Sequence, residues 1–173
     1  MSSFKLKVLL TGPKAIDKSN LVQKIVKKKF QTNYKLTVGV DILIKEVEYR
    51  QGEIATLSIW DIGRQQRFDI IRNTFYKGAT GVILIFDLTR EHTFVETRKL
   101  LTEIRQFTGP IPFILIGNNV KLFELTDIKG IRDVARKFAR NEGGIYIEMS
   151  LTNKDIVEEA FRELTRKIIG LRN

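Results

Sequence analysis

This chain of 173 residues contains no cysteine, which excludes disulfide bridges and thiolate metal sites. The same absence leaves no C-terminal cysteine for prenylation. No apolar run approaches the ~20 residues needed to span a bilayer. The start, Met1-Ser2-Ser3-Phe4-Lys5, does not read as a signal peptide. The single histidine, His92, precedes a helical stretch and reads as a surface residue rather than a catalyst. No internal repeat, low-complexity segment or second domain is visible, so residues 1–173 read as one domain. These absences make a cytoplasmic protein the expectation, with any membrane contact peripheral.

Acidic residues are also scarce: 20 Asp and Glu face 30 Lys and Arg, a net charge of +10. Such a surplus favours an anionic partner, either an acidic protein or an anionic membrane surface. The plainer reading is a well-solvated surface. Cations cluster at Lys24, at Lys27 to Lys29, and at Arg162, Arg166, Lys167 and Arg172. Neither cluster carries interleaved aromatics that could stack on bases, which disfavours nucleic acid.

What is present is a regular alternation of apolar runs and helical patterns. Lys5 to Thr11 reads as a strand, and Lys18 to Lys29 as a helix, with Leu21, Val22, Ile25 and Val26 at helical spacing. Val40 to Arg50 and Glu53 to Asp61 alternate apolar and polar around Gln51-Gly52, a hairpin signal. Gly81 to Asp87 and Pro112 to Asn118 are apolar throughout, as central strands covered on both faces should be. Residues 93–107, 126–141 and 154–169 carry helical periodicity, and Ile145 to Met149 is a last strand. The order implies an α/β fold: an open, mostly parallel sheet with helices on both faces and one antiparallel strand. Ligands bind such sheets beyond the carboxyl ends of the strands, where the loops at 12–19, 62–68, 118–121 and 150–152 fall.

The first of these loops nearly matches the phosphate-cradling pattern G-x-x-x-x-G-K-[ST]. Gly12, Lys18 and Ser19 are in place, with Ala15 and Ile16 between, but Asp17 stands where the last glycine belongs. Four further segments follow in order: Asn33 to Asp41, Trp60 to Phe68, Gly117 to Leu122, and Glu148 to Thr152, with Phe75 to Thr89 leading through the central strand. With these segments the chain resembles the Ras superfamily of small GTPases, the Rab branch most closely, over about residues 4–170. The resemblance implies the P-loop small G-protein fold: six strands, one of them antiparallel, and five helices. It also implies a cleft for GTP or GDP with Mg²⁺.

By the same resemblance, Lys18 contacts the β- and γ-phosphates, and Ser19 and Thr37 supply hydroxyl ligands to Mg²⁺. Asp61 holds the metal's water shell, and Gln65 is the catalytic residue that orients the attacking water. Asn118 and Ser150 belong to the base-binding segments. Residues 30–45 and 60–77 are the expected contacts for effectors and regulators. Trp60, Phe68 and Tyr76 resemble the aromatic cluster through which Rab proteins meet partners, and a core role is the competing reading. The chain ends at Asn173 without the long tail and terminal cysteines of membrane-anchored Rab proteins. Either it carries no lipid or it is cut short.

The departures bear on activity. Asp17 places a Cβ and a carboxylate where the family's backbone approaches the β-phosphate. It is also a favoured helix N-cap, so its carboxylate is expected to bond the first N–H groups of the following helix. Lys14 stands where a side chain would crowd the catalytic glutamine, and impaired hydrolysis is the favoured reading over an added charge on the γ-phosphate. Arg64 replaces a glycine whose N–H senses the γ-phosphate, and Gly63 restores only part of that freedom. Lys121 replaces the aspartate that accepts two hydrogen bonds from guanine. Each such bond is worth roughly 1.5–3 kcal/mol, so losing two costs about 3–6 kcal/mol, or ~10²–10⁴ in affinity. Lysine offers donors only. Asn119 replaces the lysine that stacks on the base.

Two functions stay open. One is an interaction module in which guanine-nucleotide binding is weakened or lost, with no cofactor required. The other is a working, divergent GTPase that binds GTP or GDP with Mg²⁺. A phosphate-containing ligand other than GTP, and a basic surface module, are further readings.

Overall fold

The alternating strands and the two wholly apolar ones assemble as their patterns demand. The structure is a computed structural model that describes residues 3–18, 21, 40–63, 69–125, 130–149 and 154–172, with only the backbone at 69–72. In chain order the elements are β1 (Phe4–Thr11), β2 (Val40–Arg50), β3 (Glu53–Ile62), α1 (Asp69–Tyr76), β4 (Gly81–Asp87), α2 (Glu91–Thr108), β5 (Phe113–Asn118), α3 (Val120–Glu124), α4 (Gly130–Asn141), β6 (Ile145–Glu148) and α5 (Lys154–Gly170). The six strands form one sheet in the order β2-β3-β1-β4-β5-β6. Only the β2–β3 pair is antiparallel. Its turn holds Gly52 at φ 75°, a left-handed conformation that glycine adopts without steric cost.

Every residue of β4 is buried, as are the first five of β5, because helices cover both faces there. On one face α5 packs across β2, β5 and β6. On the other, α2 packs on β4 and α4 on β5 and β6, and Phe138 of α4 meets Phe94 of α2 and Phe113 of β5. Close packing selects small residues at two points. A Cβ on Gly81 would stand 2.9 Å from Ile168, and one on Gly144 2.3 Å from the Phe113 ring.

The sequence expectations need three corrections, and a fourth is tested only in part. Asn118 to Lys121 is not all loop, because α3 begins at Val120 and adds a short helix that periodicity did not suggest. A stretch of five residues is too brief to carry a helical period. Helix α2 begins at Glu91 rather than residue 93, so His92 lies within its first turn, exposed as expected. Lys18 is not helical; Leu21, buried, is the one described helical position between 19 and 39. The expected helix at 126–141 is described from Gly130, and 126–129 lie outside the described residues. Among the described residues, no helix is long and apolar enough to cross a membrane.

Candidate functional site

The carboxyl ends of β1, β3, β4, β5 and β6 converge at one end of the sheet. Leu10 pairs with Asp61, Thr11 with Leu84, Asp87 with Asn118, and Gly117 with Glu148. The loop after β1 leaves through Gly12, which is buried against β4. A Cβ there would lie 2.7 Å from Ile85 Cγ2 and 2.8 Å from its carbonyl oxygen. Gly12 is thus required by packing before any ligand is considered. The loop then turns back, with the Ile16 N–H donating to the Pro13 carbonyl at 3.1 Å. Ile16 tucks into the core at 7% exposure, while Lys14, Ala15 and Asp17 face solvent. The capping bonds expected of Asp17 would fall on residues 19 and 20, outside the described residues.

Lys18 reaches across to β3. Its ammonium forms a short ion pair with the Asp61 carboxylate and donates to the Ile62 carbonyl at 3.0 Å. Both side chains are mostly sheltered. The cation and the carboxylate that the resemblance assigns to phosphate and metal therefore neutralise each other. Ser19, Thr37, Arg64, Gln65 and Ser150, the remaining motif positions, lie outside the described residues.

Asp87, at the end of β4, gathers the other loops. It is 3% exposed and accepts four hydrogen bonds. Thr89 donates its N–H at 2.8 Å and its hydroxyl at 2.6 Å, Arg90 its Nε at 3.0 Å, and Asn119 its side-chain amide at 2.9 Å. Burial alone would raise the carboxyl's pKa; the bonds from Thr89, Arg90 and Asn119 outweigh it and hold the group below its ordinary value. Arg90 also donates to the Ala15 carbonyl at 3.4 Å, which ties the first loop to this hub. Sequence reasoning gave Asp87 and Arg90 no role, because neither is a motif position.

The base-binding segment is equally occupied with itself. The Asn118 carbonyl accepts from Leu88 N–H at 3.1 Å. Asn119 sits at φ 63°, a left-handed conformation that asparagine tolerates, and its carbonyl accepts from Phe123 N–H at 2.9 Å to start α3. Lys121 is exposed on α3. Behind it, Arg132 of α4 grips Glu148 of β6 through Nε at 2.6 Å and Nη2 at 3.0 Å, and the Tyr146 hydroxyl donates to the same carboxylate at 2.8 Å. The Glu148 carboxylate holds the Arg132 guanidinium in its charged form, and burial beside that carboxylate pushes the Tyr146 phenol up. The guanidinium also lies 4.8 Å from the Phe123 ring centre, so α3 is held from behind.

The aromatic expectation divides: the cluster reading fails for Tyr76, and its core alternative holds. Trp60 is half-buried and meets Phe75, with ring centres 6.1 Å apart. Tyr76 instead turns inward, 1% exposed, with its hydroxyl donating to Glu103 at 3.1 Å. Phe68 lies outside the described residues. Ile42 is the cross-strand neighbour of Trp60. Sequence reasoning missed Phe75 and Ile42; the antiparallel register of the hairpin was the signal for Ile42.

A six-stranded sheet in this order, with a lysine-bearing loop after β1 facing an aspartate at the end of β3, defines the P-loop small G-protein class. The chain belongs to the Ras family, whose model matches residues 7–170. It is 35% identical to Ras-related protein RABA1a of Arabidopsis thaliana, over 94% of this chain and 74% of that protein. Identity to Ras-related protein RIC2 of Oryza sativa subsp. japonica is 32% over the same shares. Ras-related protein Rab-18-B of Danio rerio is 34% identical over 95% of this chain and 79% of its own length. Members of the family typically bind GTP or GDP with Mg²⁺ and engage effectors and regulators.

The described residues fit such a ligand unevenly. Lys18 and Asp61 are the right groups for a phosphate and a metal, once their mutual pair opens. The base segment does not fit guanine, because Lys121 presents donors where an acceptor is needed.

Proposed function

We propose that this chain is a Ras-family interaction module, a single domain over residues 1–173, in which guanine-nucleotide binding is weakened. The observation that carries this reading is the base-binding segment. Lys121 faces solvent on α3 with donors only, and the Asn119 amide is bonded to Asp87. A guanine edge would meet donors where the fold elsewhere supplies a carboxylate, and the hub carboxylate at Asp87 already accepts four bonds. Asp17 adds a charge to the phosphate loop, and Arg64 removes a glycine from the segment after β3. The function left to the fold is to present surfaces over residues 30–45 and 60–77 to signalling or trafficking proteins. Trp60, Phe75 and Ile42 form the apolar part of that surface. The basic surplus would add attraction to an acidic protein or an anionic membrane, and the domain is placed in the cytoplasm or peripherally on a membrane.

Titration calorimetry with GDP and Mg²⁺ tests this. No saturable heat at micromolar protein supports it, and submicromolar GDP affinity overturns it.

One observation favours a second reading, a divergent GTPase switch. Lys18 and Asp61 meet at the carboxyl end of the sheet, where Ser19, Thr37 and Gln65 of the same motif set would complete a Mg²⁺–phosphate corner. There Lys18 would hold phosphate, Ser19, Thr37 and Asp61 the metal, and Gln65 the attacking water. Hydrolysis of GTP that is lost in Gln65→Leu would establish that reading.

A further inference from the structure

Arg98 is an exposed guanidinium on α2, held in place by two aromatic rings. Its central carbon lies 5.8 Å from the ring centre of Phe94, one turn earlier on α2, and 5.2 Å from that of Phe138 on α4. Those two rings meet nearly edge to face, with centres 5.7 Å apart, and form the floor of the seam between the helices. A guanidinium carries five N–H donors in a planar fork. Stacking on the rings fixes that plane and consumes none of the donors. Among the described residues, no carboxylate or carbonyl takes one of them. Neighbouring arginines differ. Arg105, two turns further along α2, gives Nη1 to the Glu142 carboxylate at 2.7 Å and Nη2 to the Glu142 and Ile111 carbonyls. Arg132 is gripped by Glu148.

The surroundings of Arg98 follow from helical spacing. Lys99 comes next on α2, and Lys137 precedes Phe138 on α4; both are exposed, and neither forms an ion pair among the described residues. Thr102 lies one turn beyond Arg98, and Asn141 one turn beyond Phe138, both exposed. Packed helices run about 8–10 Å apart, so long side chains from both can meet over the seam. Carboxylates compete little there. Glu142 is held by Arg105, and Asp133 lies 3.9 Å from Arg136. Glu96, two residues past Phe94, falls on the far side of α2. Glu91 stands two turns before Arg98. The seam is also remote from the first loop: Arg98 lies ~12 Å of helix rise beyond Arg90, which bonds the Ala15 carbonyl.

We propose that the α2–α4 seam binds phosphomonoester groups, with Arg98 as the two-pronged ligand and Lys99 and Lys137 as flanking charges. The planar fork matches a pair of phosphate oxygens, and its plane is already set, so little side-chain freedom is lost on binding. Three cations beside one another suit the dense charge of a phosphomonoester better than the single charge of a carboxylate. Their spread over two helices suits a small ligand that bears two or three phosphates, such as a phosphorylated cyclic polyol, free or as a lipid headgroup. The proposal goes beyond the reading of the chain as an interaction module and does not depend on whether nucleotide binds.

Amide shifts of the ¹⁵N-labelled protein, titrated with inositol 1,4,5-trisphosphate, test this site by site. A second arm measures retention on phosphatidylcholine vesicles carrying phosphatidylinositol 4,5-bisphosphate, against vesicles matched in charge with phosphatidylserine. Saturable shifts at residues 95–102 and 134–141, weakened by salt, are expected. Arg98→Gln should weaken binding about tenfold or more, and Arg98→Lys should recover only part, because the charge returns without the fork. Exposed Lys137→Gln should weaken it too, and it serves as the test if Arg98→Gln does not fold. Tighter binding of the bisphosphate vesicles than of the soluble trisphosphate supports the site with a lipid headgroup as its source; the reverse order supports it with a free phosphate. Four results would each overturn the proposal: neither probe binding saturably, shifts confined to residues 12–18, equal retention on the phosphatidylserine vesicles, or unchanged affinity in a folded Arg98→Gln or in Lys137→Gln. GDP with Mg²⁺ should leave the seam shifts in place, and displacement of the trisphosphate by GDP would also overturn it.

Discussion

Gly12 and Lys121 show two kinds of residue effect, one steric and one electronic. Gly12 lies so close to Ile85 that any Cβ must displace the β4 backbone. Gly12→Ala should therefore destabilise the fold by roughly 1–3 kcal/mol in urea unfolding, with or without nucleotide. Lys121 touches chemistry alone, since it is exposed. Lys121→Asp returns the missing acceptor, and GDP affinity measured by calorimetry should rise by ~10²–10⁴. Asp87 makes a third case. Its folded pKa lies below the ordinary 3.8, so its stabilising contribution is full above that value and is lost as pH falls through the depressed one. Asp87→Asn should cost about 1–3 kcal/mol at neutral pH and flatten the acid limb of the stability profile below pH 3.8. Motif spacing made Gly12, Lys18 and Asp61 legible in the sequence. It could not show that the Asn119 amide turns to Asp87, because that depends on a rotamer and a left-handed backbone. Nor could it choose Phe75 over Tyr76 beside Trp60: neighbours on a helix point about 100° apart, and only packing decides which one faces the sheet.

At the scale of elements, the strands were legible because their burial is periodic or complete. The hairpin was legible because Gln51-Gly52 is a turn signal, and β2 runs over Val40–Arg50 as its pattern indicated. Helix α3 was not, since its five residues follow a strand in a segment read as loop. What holds α3 is tertiary: Arg132 lies over Phe123 and is fixed by Glu148. Glu148→Ala should leave that guanidinium without its two-pronged partner and cost about 1.5–3 kcal/mol by thermal unfolding, with earlier amide exchange at 120–124. A stability equal to that of the parent chain would show that α3 stands without this grip.

For the whole molecule, order along the chain was enough to give the sheet, its one antiparallel strand and the end at which the loops gather. The division of roles was less legible. The corner of Lys18 and Asp61 keeps a cation and a carboxylate suited to phosphate and metal, while the corner of Asn119 and Lys121 bonds inward or faces solvent with donors only. If the proposed function is right, such a molecule carries little guanine nucleotide. The direct measurement is to denature the purified protein and chromatograph what it releases. Well below one equivalent of GDP or GTP is expected, and a stoichiometric release of either would contradict the proposed function.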